Sequence, residues 1–344
     1  MSDGTAPRTP GESWSQAVET LPDASYAHLD GWKRVVERAY GNPCTLLECR
    51  RGGHLAGILP VVHLKSLLFG NNLVSMPYLD IGGPVFVDAA AFRELMEACT
   101  EKAEKLGAGV CVRSCRQSLL DWETQTDKVT MHLRLVPDPG EMLRRFSPER
   151  RNRIKKGLRH GLSVTFEGQE GLSNFYGIYA QNMRDLGSPA HSQLFFAEIM
   201  SAFPERTGLV IVRDASRAPI GAGLYFRFKG LLALPWVSSL RDTFRLNPNI
   251  VLYWELISMG CQTGAHVFDF GRSTVGSGTF EYKRQWGAEP VPLYWYHRPR
   301  PSGKAGAPMD TKGERRRALA SLWKRLPLAV ANYIGPRLRG GISL

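Results

Sequence analysis

Apolar and polar positions along this chain follow two alternating periods, and the order in which they change occurs twice. A helical period over Tyr26 to Tyr40 gives way to strand-like runs at Thr45 to Arg51 and Leu55 to Leu64, and then to an apolar run from Asn72 to Met76. A second helix follows, with Phe92, Leu95, Met96, Cys99, Ala103 and Leu106 on one face. Gly107 stops it, and Gly109 to Arg113 reads as a short buried strand. The second half repeats this order. Helices are predicted at about 171–186 and 193–203, strands at Leu209 to Arg213, Ile220 to Phe228 and Leu231 to Val237, a helix at Asn249 to Gln262 and a strand at Val267 to Phe270.

The segment 105–113 aligns with 262–270, each a helix C-terminus with a glycine stop followed by a strand. Antiparallel strands followed by a helix and one more strand form an α+β unit, and two such units account for most of the chain, with a hinge near 136–150. Chance similarity between generic helix–strand junctions is the other reading of the pattern alone.

Composition adds a constraint on partners. With 43% hydrophobic and 22% charged residues the chain is globular, and no apolar run reaches the length of a membrane span. Residues 1–22, rich in Gly, Pro and Ser, are expected to be disordered and carry no secretory pattern, so a cytoplasmic protein is expected. Cys44, Cys49, Cys99, Cys111, Cys115 and Cys261 lack disulfide or metal spacing and read as buried thiols. His160, His191 and His266 likewise lack partners for a metal, and none is expected.

The net charge of +12 is unevenly placed. Nine of those charges fall in residues 298–344, leaving a nearly neutral body. Within that body Arg144, Arg145, Arg150, Arg151, Arg153, Lys155, Lys156 and Arg159 crowd one helix-like stretch. Two basic regions point to anionic partners such as phosphates, RNA or an acidic membrane surface, although a solvated linker helix would have the same composition.

Several ordered motifs carry a resemblance. Asn182 to Pro189, Pro235 to Leu240, Asn249 with Tyr253-Trp254-Glu255, Phe268 to Ser273 and Tyr282 to Pro290 resemble the FemAB-like family, more closely the exosortase (XrtA)/PEP-CTERM-associated branch. The match extends back through Arg150 to Gly161 and Asn71 to Gly83 and covers roughly residues 26–297. The resemblance implies two tandem GNAT-like (acyl-CoA N-acyltransferase-like) domains and amide formation by acyl or aminoacyl transfer to an amine. On that basis the first domain is expected over 23–140, the second and active one over 141–298 with its basic helix at 144–160, and a basic amphipathic tail over 299–344.

The donor is expected to be aminoacyl-tRNA or acyl-CoA, with no tightly bound cofactor. The acceptor is expected to be a nucleotide- or lipid-linked saccharide or peptide of the cell envelope or an exopolysaccharide. Acyl-CoA-dependent N-acylation of an amino sugar and a non-catalytic GNAT scaffold are the alternatives. The loop pattern Arg/Gln-x-x-Gly-x-Gly/Ala, which presents backbone N–H groups to a CoA pyrophosphate, has no clean copy after Leu231 to Val237. The segment 238–242 does not supply it, which favours aminoacyl-tRNA.

Among single residues, Arg272 follows a strand and a glycine, where its fork could clamp a phosphate or carboxylate, or pair with Asp269 or Glu281. Lys283, in a short helix after Gly276-Ser277-Gly278, forms with Tyr282 a pair resembling the aromatic–Lys pair of Fem transferases; without that likeness it reads as a solvated lysine. Asp269 and Glu281 are the candidate proton acceptors, and Asp269 could instead face solvent. Glu255 is a candidate half-buried carboxylate. Arg184 and Asp185 either cap a helix end or border an acceptor groove. Trp236, Ser238, Asn249 and Tyr253 are candidates for substrate binding, the aromatics otherwise being core, and Arg153 and Lys156 for contact with phosphate.

In the tail, Leu319, Leu322, Trp323 and Leu326 have helical spacing among Arg315, Arg316, Arg317, Lys324 and Arg325. Residues 311–344 therefore read as an interfacial helix at the inner face of an anionic membrane, or as a segment packed on the protein's own body.

Overall fold

The computed structural model describes residues 12–117, 121–300 and 314–343. Helix α1 (Trp14–Thr20) lies inside the stretch expected to be disordered. Ser13 and Gln16 form a capping box at its start, and Trp14, Ala17 and Val18 are buried, so a short apolar face anchors an otherwise polar segment. Along the chain follow α2 (Gly31–Tyr40), β1 (Cys44–Arg51), β2 (His54–Ser66), β3 (Gly70–Val74), β4 (Val85–Phe86), α3 (Ala89–Lys105) and β5 (Gly109–Ser114). Next are β6 (Glu123–Gln125), β7 (Lys128–Arg134), α4 (Pro139–Arg145), α5 (Pro148–Arg159), β8 (Ser163–Glu167), α6 (Leu172–Leu186) and α7 (Gln193–Ala202). The last part holds β9 (Thr207–Arg213), β10 (Pro219–Phe228), β11 (Leu231–Ser239), α8 (Pro248–Gln262), β12 (Val267–Thr274), α9 (Gly278–Arg284), β13 (Glu289–Pro292), β14 (Tyr294–Arg298), α10 (Glu314–Trp323) and α11 (Leu328–Arg339).

These elements form an α+β molecule with two sheets and a doubled GNAT-like plan. One sheet runs β1-β2-β3-β5-β14-β6, with β4 paired to β2; the other runs β13-β7-β12-β11-β10-β9-β8. In each, a long helix connects the two strands of one parallel pair. β3 and β5 align Asn72 with Gly109 through Val74 with Cys111, and β11 and β12 align Leu231 with Val267 through Ala233 with Asp269. The strands β5 and β12 are those whose helix–glycine–strand junctions align in sequence, so the repeat lies in the fold.

The sheets also exchange strands. β7, from the first half, pairs antiparallel with β12, while β14, from the end of the second, pairs antiparallel with β5. β6 and β13 then border the exchanged strands, β6 on β14 and β13 on β7. A division at 140 or 298 therefore does not follow the sheets.

Alternation along the strands places three apolar layers. Leu209, Ile211, Leu224 and Phe226 face inward with Ile58, Val62 and Val74 of the first sheet, and α1, α2, α6 and α7 fill the space between. Val210, Val212 and Tyr225 face outward under α4, α5, α8 and α9, and α3 covers the outer face of the first sheet. Phe226 is fully buried; its ring stacks on Tyr26 at 4.9 Å and lies 5.2 Å from Phe203, so it joins the halves directly.

The tail packs on this body. α10 ends at Trp323, leaving Leu326 outside the expected helical stripe. Ala331 and Gly335 of α11 are buried, Arg339 Nε donates to His191 Nε2 at 3.1 Å, and Gly340 O accepts from Asn42 Nδ2 at 2.8 Å and Tyr78 Oη at 2.7 Å. Cys115 is exposed, unlike the other five thiols.

Because Phe226 fills the layer shared by both sheets, Phe226→Ala is expected to lower stability by about 3–5 kcal/mol. Urea denaturation followed by tryptophan fluorescence measures it, and a loss below about 1 kcal/mol would contradict a shared core.

Candidate active site

The parallel ladder between β11 and β12 ends after three residue pairs, and beyond it β12 bulges against β7 between Asp269 and Arg272. Gly271 sits in the bulge with φ +74°, a conformation that glycine adopts without steric cost. The bulge turns two carbonyls, those of Gly271 and Arg272, toward α9. Lys283 Nζ donates to both, each at 2.8 Å. The side chain is 7% exposed, and Ser277 caps α9 by accepting from Phe280 N. This corrects the reading of Lys283 as a solvated surface lysine.

Asp269 lies on the same β12 face as its β7 neighbours Thr130 and His132, because side chains on paired strands alternate together. Its Oδ1 accepts from Thr130 Oγ1 at 2.5 Å and from Gly271 N at 2.8 Å, and its Oδ2 lies 3.7 Å from His132 Nε2. Burial pushes the carboxyl up, but His132, Thr130 and the Gly271 N–H outweigh it and hold Asp269 below the usual carboxylate range. It does not face solvent. A carboxylate so engaged fixes the bulge and is a weak proton acceptor.

Arg272 pairs with neither Asp269 nor Glu281, the partners considered from sequence. Its Nη1 lies 3.1 Å from Oδ1 of Asp80, in the loop after β3, and its backbone N donates to Asp80 Oδ2 at 3.3 Å. The guanidinium lies 5.1 Å from the Trp295 ring, and Trp295 Nε1 donates to Asp80 O at 3.2 Å. Arg113 stacks on the same indole at 4.4 Å, donates to Leu79 O at 2.5 Å and bonds to Ser343 O. Glu281 is held by Arg284 at 3.5 Å.

Asp80, Trp295, Thr130 and His132 were not singled out in the sequence. Asp80 lies inside the Asn71 to Gly83 match, the one signal that could have drawn attention to it. The other three reach the site through the exchanged strands.

Burial lowers the Lys283 amine from 10.5 to about 8; the carboxylates of Asp269 and Asp80 oppose this and Arg272 adds to it. An amine poised near neutrality is a group that can hold or release a proton under physiological conditions.

The remaining candidates are spread around the second sheet. Tyr282 packs against Tyr253 at 6.0 Å, in a cluster where Tyr253 also meets Phe270 at 5.0 Å and Trp286 at 5.8 Å. Tyr253 is thus core, and burial raises the Tyr282 hydroxyl. Trp236 is core as well, edge-on to Phe196 at 5.4 Å. Ser238 Oγ accepts from Asn182 Nδ2 at 3.0 Å, and Asn249 Oδ1 accepts from Ser239 Oγ at 2.5 Å. Arg184 Nε binds its neighbour Asp185 at 2.7 Å, and its Nη1 donates to Leu326 O at 3.3 Å, tying a helix end to the tail. Glu255 is half-buried, and burial raises its carboxyl. Arg153 and Lys156 are exposed on α5, Arg153 paired with Glu149 at 2.8 Å.

Comparisons with known proteins bear on the fold that carries these residues. Residues 145–284 match the family model described as an acetyltransferase (GNAT) domain. No curated protein has a matching sequence. The chain is similar in structure to FemX, at 14% identity over 82% of this chain and 94% of that one, with a TM-score of 0.63. It is also similar to L-PGS from Bacillus licheniformis, at 12% identity over 91% and 97% of the two chains and a TM-score of 0.55. A C-terminal domain of a putative lysylphosphatidylglycerol synthetase from Agrobacterium fabrum gives 12% identity, 82% and 90% coverage, and a TM-score of 0.55.

The match of residues 145–284 to a GNAT domain gives the class: this is an acyltransferase. Its doubled architecture is similar to that of FemX along nearly the whole of that chain.

The lowered Lys283 amine has a signature in stability. Below pH 8 both folded and unfolded chains carry the charge, and the folded state bears the full cost of burying it. Between about 8 and 10.5 the unfolded chain binds a proton that the folded chain has released, so stability rises with pH through that window. Relative to Lys283→Met, the wild-type protein should gain unfolding free energy in urea titrations from pH 8 to 10. A difference that stays flat would show an unshifted lysine.

Proposed function

We propose that this enzyme forms an amide on an amine of a cell-envelope or exopolysaccharide precursor, taking the acyl group from an aminoacyl-tRNA. The observation that carries this reading is Lys283, whose Nζ is buried against the Gly271 and Arg272 carbonyls of β12. A neutral lysine amine uses its two N–H groups on those carbonyls and keeps its lone pair for a proton.

The acceptor nitrogen attacks the ester carbonyl carbon, the ester C–O bond breaks, and the proton lost by nitrogen passes to the departing ribose oxygen. Lys283 relays that proton. Arg272, oriented by Asp80 and Trp295, anchors a phosphate or carboxylate of the reacting molecules.

Support for the RNA donor comes from the exposed cations of α5, among them Arg153 and Lys156, and from the missing pyrophosphate-loop pattern after β11. Proteins of similar architecture are named FemX and lysylphosphatidylglycerol synthetase, the latter making an aminoacylated lipid by its name. The motif likeness to the exosortase-associated branch favours an envelope saccharide or peptide as acceptor.

Thermal-shift and single-turnover measurements with charged tRNA and with acetyl-CoA test the donor. We expect a shift of several degrees and product with charged tRNA. A comparable shift with acetyl-CoA alone would move the assignment to acyl-CoA-dependent acylation of an amino sugar. Lys283→Ala and Arg272→Ala should each fail to complement a deletion strain. Full complementation by both would indicate a scaffold that binds without chemistry.

The same reading includes contact with the inner face of an anionic membrane. Leu319 and Leu322 of α10 are 67% and 62% exposed, with Lys324 and Arg325 beside them. No helix among the described residues is long and apolar enough to cross a bilayer. A variant carrying Leu319→Ser and Leu322→Ser should lose flotation with phosphatidylglycerol vesicles, whereas wild-type protein floats; equal flotation would remove α10 from the contact. Point changes are preferred to truncation because residues 340–343 pack on the body.

A further inference from the structure

A second positive site lies on the outer face of the second sheet, beside α9 but outside the contacts made by the Lys283 side chain. Phe146 and Ser147 link α4 to α5, and there the chain meets the turn after α9 around a cavity of about 310 Å³. Arg145, Ser147, Arg150, Arg153, Arg284 and Gln285 line it.

Three of the four arginines have acidic partners: Arg145 with Glu141 at 2.7 Å, Arg153 with Glu149 at 2.8 Å and Arg284 with Glu281 at 3.5 Å. Arg150 is different. It is 2% exposed, and its guanidinium stacks on Trp286 at 4.5 Å and Tyr282 at 5.4 Å, with Nη2 donating to neutral Gln285 Oε1 at 2.7 Å. Its Nε and Nη1 are buried with no acidic partner, the neutral Tyr282 hydroxyl being the polar group set against the guanidinium and the Trp286 indole. A buried guanidinium without a carboxylate partner is destabilising unless an anion accompanies it.

Glu149 also lines the cavity, with its charge met by Arg153, and the remaining surroundings suit such an anion. The cavity stands at the N-terminus of α5, a twelve-residue helix whose dipole favours negative charge. Several planar guanidiniums suit a phosphate, whose oxygens accept forked pairs of N–H bonds from more than one of them.

We propose that this cavity binds a phosphate group of a nucleotide or polynucleotide, with Arg150 as its buried anchor and Arg145, Arg153 and Arg284 at its rim. The site belongs to the lobe that carries Lys283, and Tyr282, on which Arg150 stacks, is the residue preceding that lysine. A phosphorylated ligand held here is therefore registered against α9. The proposal stands whichever acyl donor the enzyme uses.

Calorimetric titration of the full chain with inorganic pyrophosphate at low ionic strength is the test. Wild-type protein should show saturable binding, and the rim variant carrying R145Q and R284Q should bind at least tenfold more weakly. R150Q should lose binding while keeping a cooperative melt. If R150Q does not fold, the exposed rim variant decides alone. No saturable binding by the wild-type protein, or unchanged binding by the rim variant, would overturn the site. Competition identifies the source: displacement of pyrophosphate by CoA assigns a nucleotide, and displacement by deacylated tRNA but not CoA assigns an RNA backbone. Displacement by neither would also reject the proposal.

Discussion

Reciprocal exchange of two strands is the constraint on which the rest of this molecule depends. β5 finds its antiparallel neighbour in β14, about 180 residues later, and β12 finds its own in β7, supplied by the first half. Each sheet is thus completed by a segment that follows, or precedes, its own half. Backbone hydrogen bonds buried in a sheet are costly to leave unmade, so the halves close together. The shared layer of α1, α2, α6 and α7 reinforces the same arrangement, since its apolar side chains face both sheets at once.

The site inherits its order from this constraint. Thr130 and His132 arrive on β7 to hold Asp269, and Trp295 arrives on β14 to support Arg272 and Arg113. Asp80, in the loop that follows β3, completes an ion pair across the boundary. A lysine buried beside such a junction loses hydration, and two backbone carbonyls compensate only part of that loss. The result is a nitrogen held in one place with its proton affinity reduced.

Much of the plan was legible in the chain because it is written in local signals. Gly107 and Gly264 stop helices, alternation marks the strands, and the helix–strand junctions repeat. The proximity of Arg272 and Lys283 could be read because a short turn and helix connect them. What was hidden depends on pairing between distant segments. His132 carries no local sign of facing Asp269, and Asp80 reads as an ordinary loop carboxylate until Arg272 is placed beside it. Trp236 shows the converse, a conspicuous aromatic whose neighbours turn out to be Phe195, Phe196 and His191 in the core. Arg150 stood among eight basic residues without distinction, because only the fold buries it against Trp286.

The placement of β14 also sets a timetable for making the protein. A ribosome delivers β1 to β5 well before Tyr294–Arg298 exists, and at about 5–20 residues per second the intervening chain takes roughly 10–35 seconds to emerge. During that interval β5 lacks one neighbour and offers a row of free N–H and C=O groups to any strand nearby. The newborn protein therefore carries an adhesive strand edge until β14 is released.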